Sequence, residues 1–450
     1  MPARDLILQT KLEPPQIKKQ LLWRPRLLNL LKDNTDKRLI LICANAGYGK
    51  TTLLAQFISE LDCDLVYYNL SPGDSDPYNF FNYLISGIRR HKDKFGLRTE
   101  RILSESPNLM SNLERILTTF INELMPLRNH ITILDDFHAI SGANWVKTAF
   151  DYLLTYLPSN THLIISSREM PNFNLSRLLA HQQLITITNE ELAFTAEEIN
   201  QLLKEIQSPN LSPATLQRLV DISQGWITGI RLILPKSQDD EKIKKSLNGF
   251  LASNLPLFEY FANEILKNED DKIQQFLTTI SILDEIYPKD CDVLMRINHS
   301  LRILRELEKR NIFIMSVGEG KNHFRFHPLF RKFLSYQLQT QANSAQVGLR
   351  YERIGKFFEK SNRIEDAIEY YIRGLKFDQA ALLIKDYAEN IIAKGQSTTL
   401  QDWLSRIPAL IFTHHPWLLF YKAFLLDRLA SQLREALNIY QTAAKLLNKD

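Results

Sequence analysis

The sequence predicts a multidomain chain, α/β in its first part and all-α after it. Three observations carry that prediction. A short apolar run, Leu39-Ile40-Leu41-Ile42-Cys43, gives way to the small-residue loop Ala44-Asn45-Ala46-Gly47-Tyr48-Gly49 and then to Lys50-Thr51-Thr52, with Leu53, Leu54, Phe57 and Ile58 at helical spacing. Two further apolar runs end in charge: Ile131-Thr132-Ile133-Leu134 stops at Asp135-Asp136, and Leu163-Ile164-Ile165 stops at Ser166-Ser167-Arg168. Beyond about residue 190 helical patterns dominate, and Ala367…Tyr371 and Ala436…Tyr440 recur at about twice the ~34-residue tetratricopeptide period. The implied architecture is a P-loop parallel-sheet NTPase followed by helices, a winged helix and TPR-like helical repeats. Its expected limits are 1–190, 191–245, 246–340 and 341–450.

At 450 residues, 44% hydrophobic and 24% charged, the composition is that of an ordinary globular protein with room for several domains. A net charge of +4 argues neither for nor against a nucleic-acid partner, and no Lys/Arg block forms a tail. Cys43, Cys63 and Cys291 lack metal-ligand spacing and suit a reducing cytosol better than a disulfide framework. No basic-then-apolar leader opens the sequence, and no apolar run approaches a membrane span. The expected location is cytoplasmic, without a membrane partner.

In chain order, Lys11-Leu12-Glu13-Pro14-Pro15 is extended, because two prolines forbid a helix. Pro25 suits the first turn of a helix beginning at Arg24-Pro25-Arg26. Arg24 and Arg26 either reach a nucleotide's phosphate or ribose or form a solvated helix start. The glycine loop then lets successive backbone N–H groups face phosphate oxygens, with the partial positive charge of the helix N-terminus behind them. Residues 44–52 are the expected phosphate cradle, with Lys50 read as an exposed cation over the outer phosphates and Thr51 as a Mg²⁺ ligand. Ala44 replaces the first glycine of the usual pattern, which is tolerable at negative φ.

Leu65–Leu70 reads as a strand, residues 71–77 as a turn, and Tyr78–Arg90 as an amphipathic helix, while 96–129 gives weaker helical signals. Asp135 is the expected water-mediated Mg²⁺ ligand and Asp136 the general base. In a parallel sheet the C-terminal strand ends face the ligand crevice, which places Arg168 to read a γ-phosphate. Leu184–Ile187 reads as a last strand, and Thr195 with Glu198 as a capping box. Trp226, in Gln224-Gly225-Trp226-Ile227-Thr228-Gly229, either closes over an adenine ring or packs as an interhelix corner. Ile312–Met315, a turn with Gly318 and Gly320, and Phe324–Arg331 outline a wing that either binds DNA or clamps internally. Pro408 and Pro416 mark loops between later helices.

These motifs resemble the N-terminal half of the MalT-type, LuxR-family ATP-dependent transcriptional regulators, members of the STAND class. The resemblance rests on Lys11-Leu12 with Pro14-Pro15, Arg24-Pro25-Arg26-Leu27, Ala46–Leu53, Asn69-Leu70 with Gly73-Asp74, Leu134-Asp135-Asp136-Phe137-His138, Ser167-Arg168, Gly225-Trp226 and His327-Pro328-Leu329-Phe330-Arg331. It implies a small helical lid between the NTPase domain and the winged helix, binding of ATP, ADP and Mg²⁺, slow hydrolysis, and a resting form held by ADP. His327 is similar to the histidine by which STAND proteins read the nucleotide; the bland alternative is a buried histidine satisfied by a carbonyl. An unknown small-molecule or protein inducer at the repeats would favour exchange and self-association. DNA would be reached only through an output domain, which nothing in these 450 residues resembles. The competing function is a nucleotide-binding scaffold whose repeats hold a protein partner. A small-molecule kinase is disfavoured, because no acceptor-pocket signal precedes the helical half.

Overall fold

A sheet of five parallel strands positions everything that follows: β1 (Leu39–Cys43), β2 (Leu65–Asn69), β3 (His130–Asp135), β4 (Thr161–Ser167) and β5 (Leu184–Ile187), in the spatial order β2-β3-β4-β1-β5. The structure, a computed structural model, describes residues 7–17, 21–61, 63–106, 109–206, 211–234, 255–317, 323–341, 344–394, 396–429 and 433–447. β1 and β3 are buried along their whole length, which is why their sequences run almost continuously apolar instead of alternating. Register aligns Cys43 with Ser167 and Leu134 with Ile165. The loop after β1, the acids after β3 and the arginine after β4 therefore meet at one edge, with β4 between the other two.

Local signals explain the flanking elements. Pro25 opens the helix Pro25–Lys32, and Asp76 caps Pro77–Arg89 by accepting from the Tyr78 and Asn79 N–H groups. Ser71 with Asp74, Thr188 with Glu191, and Thr195 with Glu198 close reciprocal capping boxes, the last as expected. The weakly patterned stretch contains two helices, Leu97–Glu105 and Leu113–Leu124. Against the sheet, Phe80 sits fully buried with its ring 5.1 Å from Trp145, 5.5 Å from Phe81 and 5.9 Å from Phe150. This aromatic layer fixes the β2 and β3 side of the domain.

The chain divides into two compact units. The first comprises Met1–Asn268 with Leu304–Ser316 and Phe326–Phe330; the second comprises Glu269–Ile303, Val317–Arg325 and Arg331–Asp450. Residues of the expected winged-helix range thus fall in both. Strands β6 (Ile314–Val317) and β7 (His323–Phe326) form the two-stranded sheet of the wing, and the expected turn glycines Gly318 and Gly320 lie outside the described residues.

In the second unit, helices Ser344–Lys360, Ile364–Arg373, Phe377–Ala393, Ser397–Arg406, Ala409–His414, Pro416–Leu429 and Leu433–Leu447 follow one another with short connections. Pro408 caps one of them and Pro416 opens the next, so both prolines fall at breaks as expected. Ion pairs tie neighbours: Asp284 takes Arg331 at 2.5 Å and Arg373 at 3.0 Å, and Glu369 takes Arg373 at 2.7 Å and Arg406 at 2.8 Å. No helix among the described residues is long and apolar enough to cross a membrane, and none of the three cysteines is in a disulfide.

Candidate functional site

The loop between β1 and the helix Lys50–Ser59 turns on two left-handed glycines, Gly47 at φ 77° and Gly49 at φ 85°. L-residues rarely adopt that conformation, so glycine is required there. Ala44 is not among the positive-φ residues, so its methyl group is accommodated. The loop carbonyls are taken up from outside. The Trp226 indole N–H donates to the Ala46 carbonyl at 2.9 Å, and the Thr228 hydroxyl donates to the Gly47 carbonyl at 2.9 Å. The Thr228 backbone N–H also reaches that carbonyl, at 3.3 Å. A Cβ on Gly47 would lie 2.5 Å from the Thr228 hydroxyl, so close backing adds a second reason for glycine. At the loop's start, the Asn45 backbone N–H donates to Asn189 Oδ1 at 2.9 Å, and Asn189 Nδ2 donates to Asn45 Oδ1 at 2.6 Å.

Beneath the loop lies a cavity of about 350 Å³. Its lining combines Gly47, Gly49, Lys50, Thr51, Thr52, Asp136 and Arg168 with the apolar side chains of Leu21, Leu22, Phe194, Leu202 and Ile227. N–H groups and cations together with apolar side chains in one cavity are the pattern of a site for a phosphorylated ligand with a flat apolar part. Thr51 and Asp136 face the same space and supply hard oxygen donors of the kind Mg²⁺ takes alongside phosphates and water.

Lys50 is buried rather than exposed, at 6% exposure, and its ammonium donates to the Ala44 carbonyl at 2.6 Å and the Asn45 carbonyl at 3.0 Å. Burial pulls its pKa down to about 8, opposed chiefly by the negative charge of Asp136. Burial and neighbouring Asp135 push the Asp136 carboxyl up, against the pull of Lys50 and Arg168. A raised carboxyl in a cation-lined cavity is the electrostatic setting of a general base. His138 is held down to about 4 by burial and by the two cations, so its ring is neutral near pH 7.

Asp135 does not line the cavity. It is buried, accepts from Tyr67 Oη at 2.9 Å and from the Ser166 hydroxyl, and receives the Asp136 backbone N–H at 3.0 Å. Asp136 itself adopts a left-handed conformation, φ 55°. Arg168 lines the cavity as expected. Its guanidinium lies 3.9 Å from Glu264, and its carbonyl accepts from Asn311 Nδ2 at 2.6 Å.

Several expected ligand contacts are corrected by the geometry. Trp226 is fully buried among Tyr260, Phe261, Phe313 and His327, so it backs the loop as a packing corner instead of covering a base. His327 is buried too: Nε2 donates to the Ser223 carbonyl at 2.9 Å and Nδ1 accepts the Leu329 N–H at 3.2 Å, while burial lowers its pKa to about 4. Arg26 bonds the Glu191 carbonyl at 2.9 Å, away from the cavity. Arg24 does line the cavity, but its terminal nitrogens hold the Leu192 and Ala193 carbonyls and Glu198, leaving Nε without a partner. Ala44, Asn45 and Tyr48 are buried parts of the loop's frame. Sequence reasoning missed Thr228, Tyr260, Phe194, Tyr67 and Asn311. Thr228 stood two residues from a noted tryptophan; the others carry no local pattern.

Residues 33–167 match the family described as AAA domain, and residues 262–346 match the MalT winged helix domain. The HTH-type transcriptional regulator MalT of Cronobacter sakazakii is 26% identical over 430 residues, covering 94% of this chain and 47% of the relative. Its namesake in Yersinia pestis is 27% identical over 425 residues, covering 93% and 46%. The chain thus spans about half the length of the curated relatives it matches. Among solved structures, a STAND protein with a tetratricopeptide repeat sensor from Pyrococcus horikoshii aligns over 96% of this chain and 59% of its own, with 16% identity and a TM-score of 0.34. The chain is similar to the MalT-type regulators over most of its length, with a P-loop parallel-sheet domain, a winged helix and later helices that fit helical repeats.

Thr228→Val removes the hydroxyl that secures Gly47. Nucleotide affinity is expected to fall about 2- to 10-fold, the worth of one hydrogen bond, with little change in melting temperature; titration of fluorescent nucleotide against the variant checks it. The lowered Lys50 pKa sets a pH dependence. Phosphate favours the ammonium, so the bound-state pKa lies above the free value of about 8. Affinity is therefore fully present below pH 8 and falls above it by up to about tenfold per pH unit, until the bound-state pKa is passed. Calorimetric titration across that range measures the slope.

Proposed function

We propose that this chain, similar to the MalT-type regulators, is an ATP-binding, slowly hydrolysing switch, whose exchange of ADP for ATP is coupled to inducer sensing and self-association in a transcriptional regulator. One observation carries the nucleotide reading: a glycine loop whose carbonyls are capped from outside by Trp226 and Thr228, over a cavity lined by Lys50, Thr51, Asp136 and Arg168.

In this reading the N–H groups of Gly47 to Thr52 and the helix N-terminus hold the β-phosphate, and Lys50 exchanges its two loop carbonyls for outer phosphate oxygens. Bound Mg²⁺ would supply charge neutralisation across the outer phosphates, with Thr51 as its partner in the cavity and Asp135 acting on it only through water. Asp136 takes the proton of the attacking water, as its raised pKa suits. Arg168 balances the charge that distinguishes ATP from ADP. The apolar side chains of Phe194 and Leu202 accept the base, and Arg24 Nε is a donor left for base or ribose. Trp226 and His327 contribute from behind the loop, by packing. We keep the limits 1–190, 191–245, 246–340 and 341–450 as the working domain division, with cytoplasmic location. An inducer surface on the helical repeats, and DNA contact through an output domain, are part of the same proposal.

Lys50→Ala is expected to abolish most ATP affinity, since it removes the cation facing the outer phosphates; unchanged binding would sink the reading. Asp136→Asn is expected to leave Mg·ATP binding nearly intact and slow turnover roughly 10²–10⁴-fold. Single-turnover measurement with labelled ATP distinguishes this from Asp135→Asn, which should weaken metal-dependent binding. Tightly held nucleotide with no turnover at all would favour the scaffold instead.

A further inference from the structure

We propose that Glu264 competes with the γ-phosphate for Arg168, so that this pair sets how strongly the site prefers a nucleoside triphosphate to a diphosphate. The inference rests on Arg168 being the group that reads the γ-phosphate.

Arg168 Nη2 lies 3.9 Å from Glu264 Oε2, while the same side chain lines the cavity with Lys50, Thr51 and Asp136. Its main chain cannot follow a ligand. Asn311 Nδ2 donates to the Arg168 carbonyl at 2.6 Å, and Asn311 is itself fixed in a left-handed turn, φ 52°, with its N–H on the Glu308 carbonyl. Only the guanidinium is left to swing.

Glu264 cannot follow either. It ends the helix Leu255–Glu264, whose Phe261 is fully buried and stacks on Trp226 with ring centroids 5.1 Å apart. Phe313 closes on the same ring from the side, at 5.2 Å. Trp226 in turn holds the Ala46 carbonyl, so this helix is anchored to the loop that would cradle the phosphates. Tyr260, one turn before Glu264, lines the cavity. A carboxylate on an anchored helix and an anion position in the cavity therefore face one mobile cation, with Asp136 beside it in the cavity. ADP leaves Arg168 with Glu264; ATP must draw it away.

The competitor must be weak for such a switch to work. Both partners are partly exposed, with side-chain exposures of 36% and 51%, so the pair is screened and worth a factor of about 1.5–5 in an equilibrium. Glu264→Gln keeps shape and removes charge. It is expected to tighten binding of a non-hydrolysable Mg·ATP analogue about two- to fivefold at low salt and to leave ADP unmoved, with the gain shrinking at high salt. In an Arg168→Ala background the same substitution should be silent. An equal gain for both nucleotides, no gain at low salt, or a gain that survives Arg168→Ala would overturn the competition. Equal losses of ATP and ADP in the single Arg168→Ala variant would instead overturn the reading of Arg168 itself, and the competition with it.

Discussion

The indole N–H of Trp226 on the Ala46 carbonyl is the contact on which the rest of the site depends. A loop that offers its N–H groups to phosphate must put its carbonyls somewhere, and buried carbonyls left alone are costly. Here the carbonyls of Ala46 and Gly47 are taken by Trp226 and Thr228, residues far along the chain. The loop is thereby set before any ligand arrives, so less ordering is charged against binding. Because Trp226 is also the centre of an aromatic cluster with Tyr260, Phe261, Phe313 and His327, the phosphate cradle and this cluster form one packed body.

Electrostatics in the cavity follow from burial acting on both signs. Lys50 is drawn down and Asp136 pushed up, each partly opposed by the other. Neither is fully paired within the protein: Lys50 rests on two carbonyls, which attract an ammonium but do not neutralise it. A cation in that condition gains much from a phosphate, and a carboxyl with a raised pKa gains from a proton. His138, kept neutral by burial and by the same cations, adds no charge of its own.

The sequence was most legible where chemistry forces a local pattern. Glycines at positive φ, apolar runs buried on both faces, a proline at a helix start and reciprocal capping boxes all announce themselves within a few residues. The placement of Arg168 was legible for a topological reason, since every parallel strand delivers its C-terminal end to the same edge. Burial was not legible. Lys50 was read as exposed, and Trp226 and His327 were left between a nucleotide contact and packing, yet Trp226 and His327 point into packing and Lys50 lies under the loop. Whether a polar tip faces a ligand or a neighbouring carbonyl depends on what distant segments bring, and periodicity carries no such information. Tyr67 and Ser166 around Asp135 show the same limit: both come from other strands, by register alone.

Magnitudes decide which of these contacts can move. Trp226 and Phe261 are fully buried and stacked, and separating them would expose aromatic surface worth several kcal/mol, on the order of 1.5–3 for each large side chain. The bond from Asn311 to the Arg168 carbonyl is short and partly buried, worth about 1 kcal/mol net and more if left unmade. The ion pair from Arg168 to Glu264 is long and half-exposed, at the bottom of that scale. A ligand that offers a strong anion near Arg168 will therefore break the last contact first and the aromatic one last. In the proposed switch, a signal leaving the cavity begins as a change of partner for one guanidinium, against a frame that stays put. The frame's rigidity makes that small change readable, because a helix anchored through Phe261 cannot absorb it by drifting with the arginine.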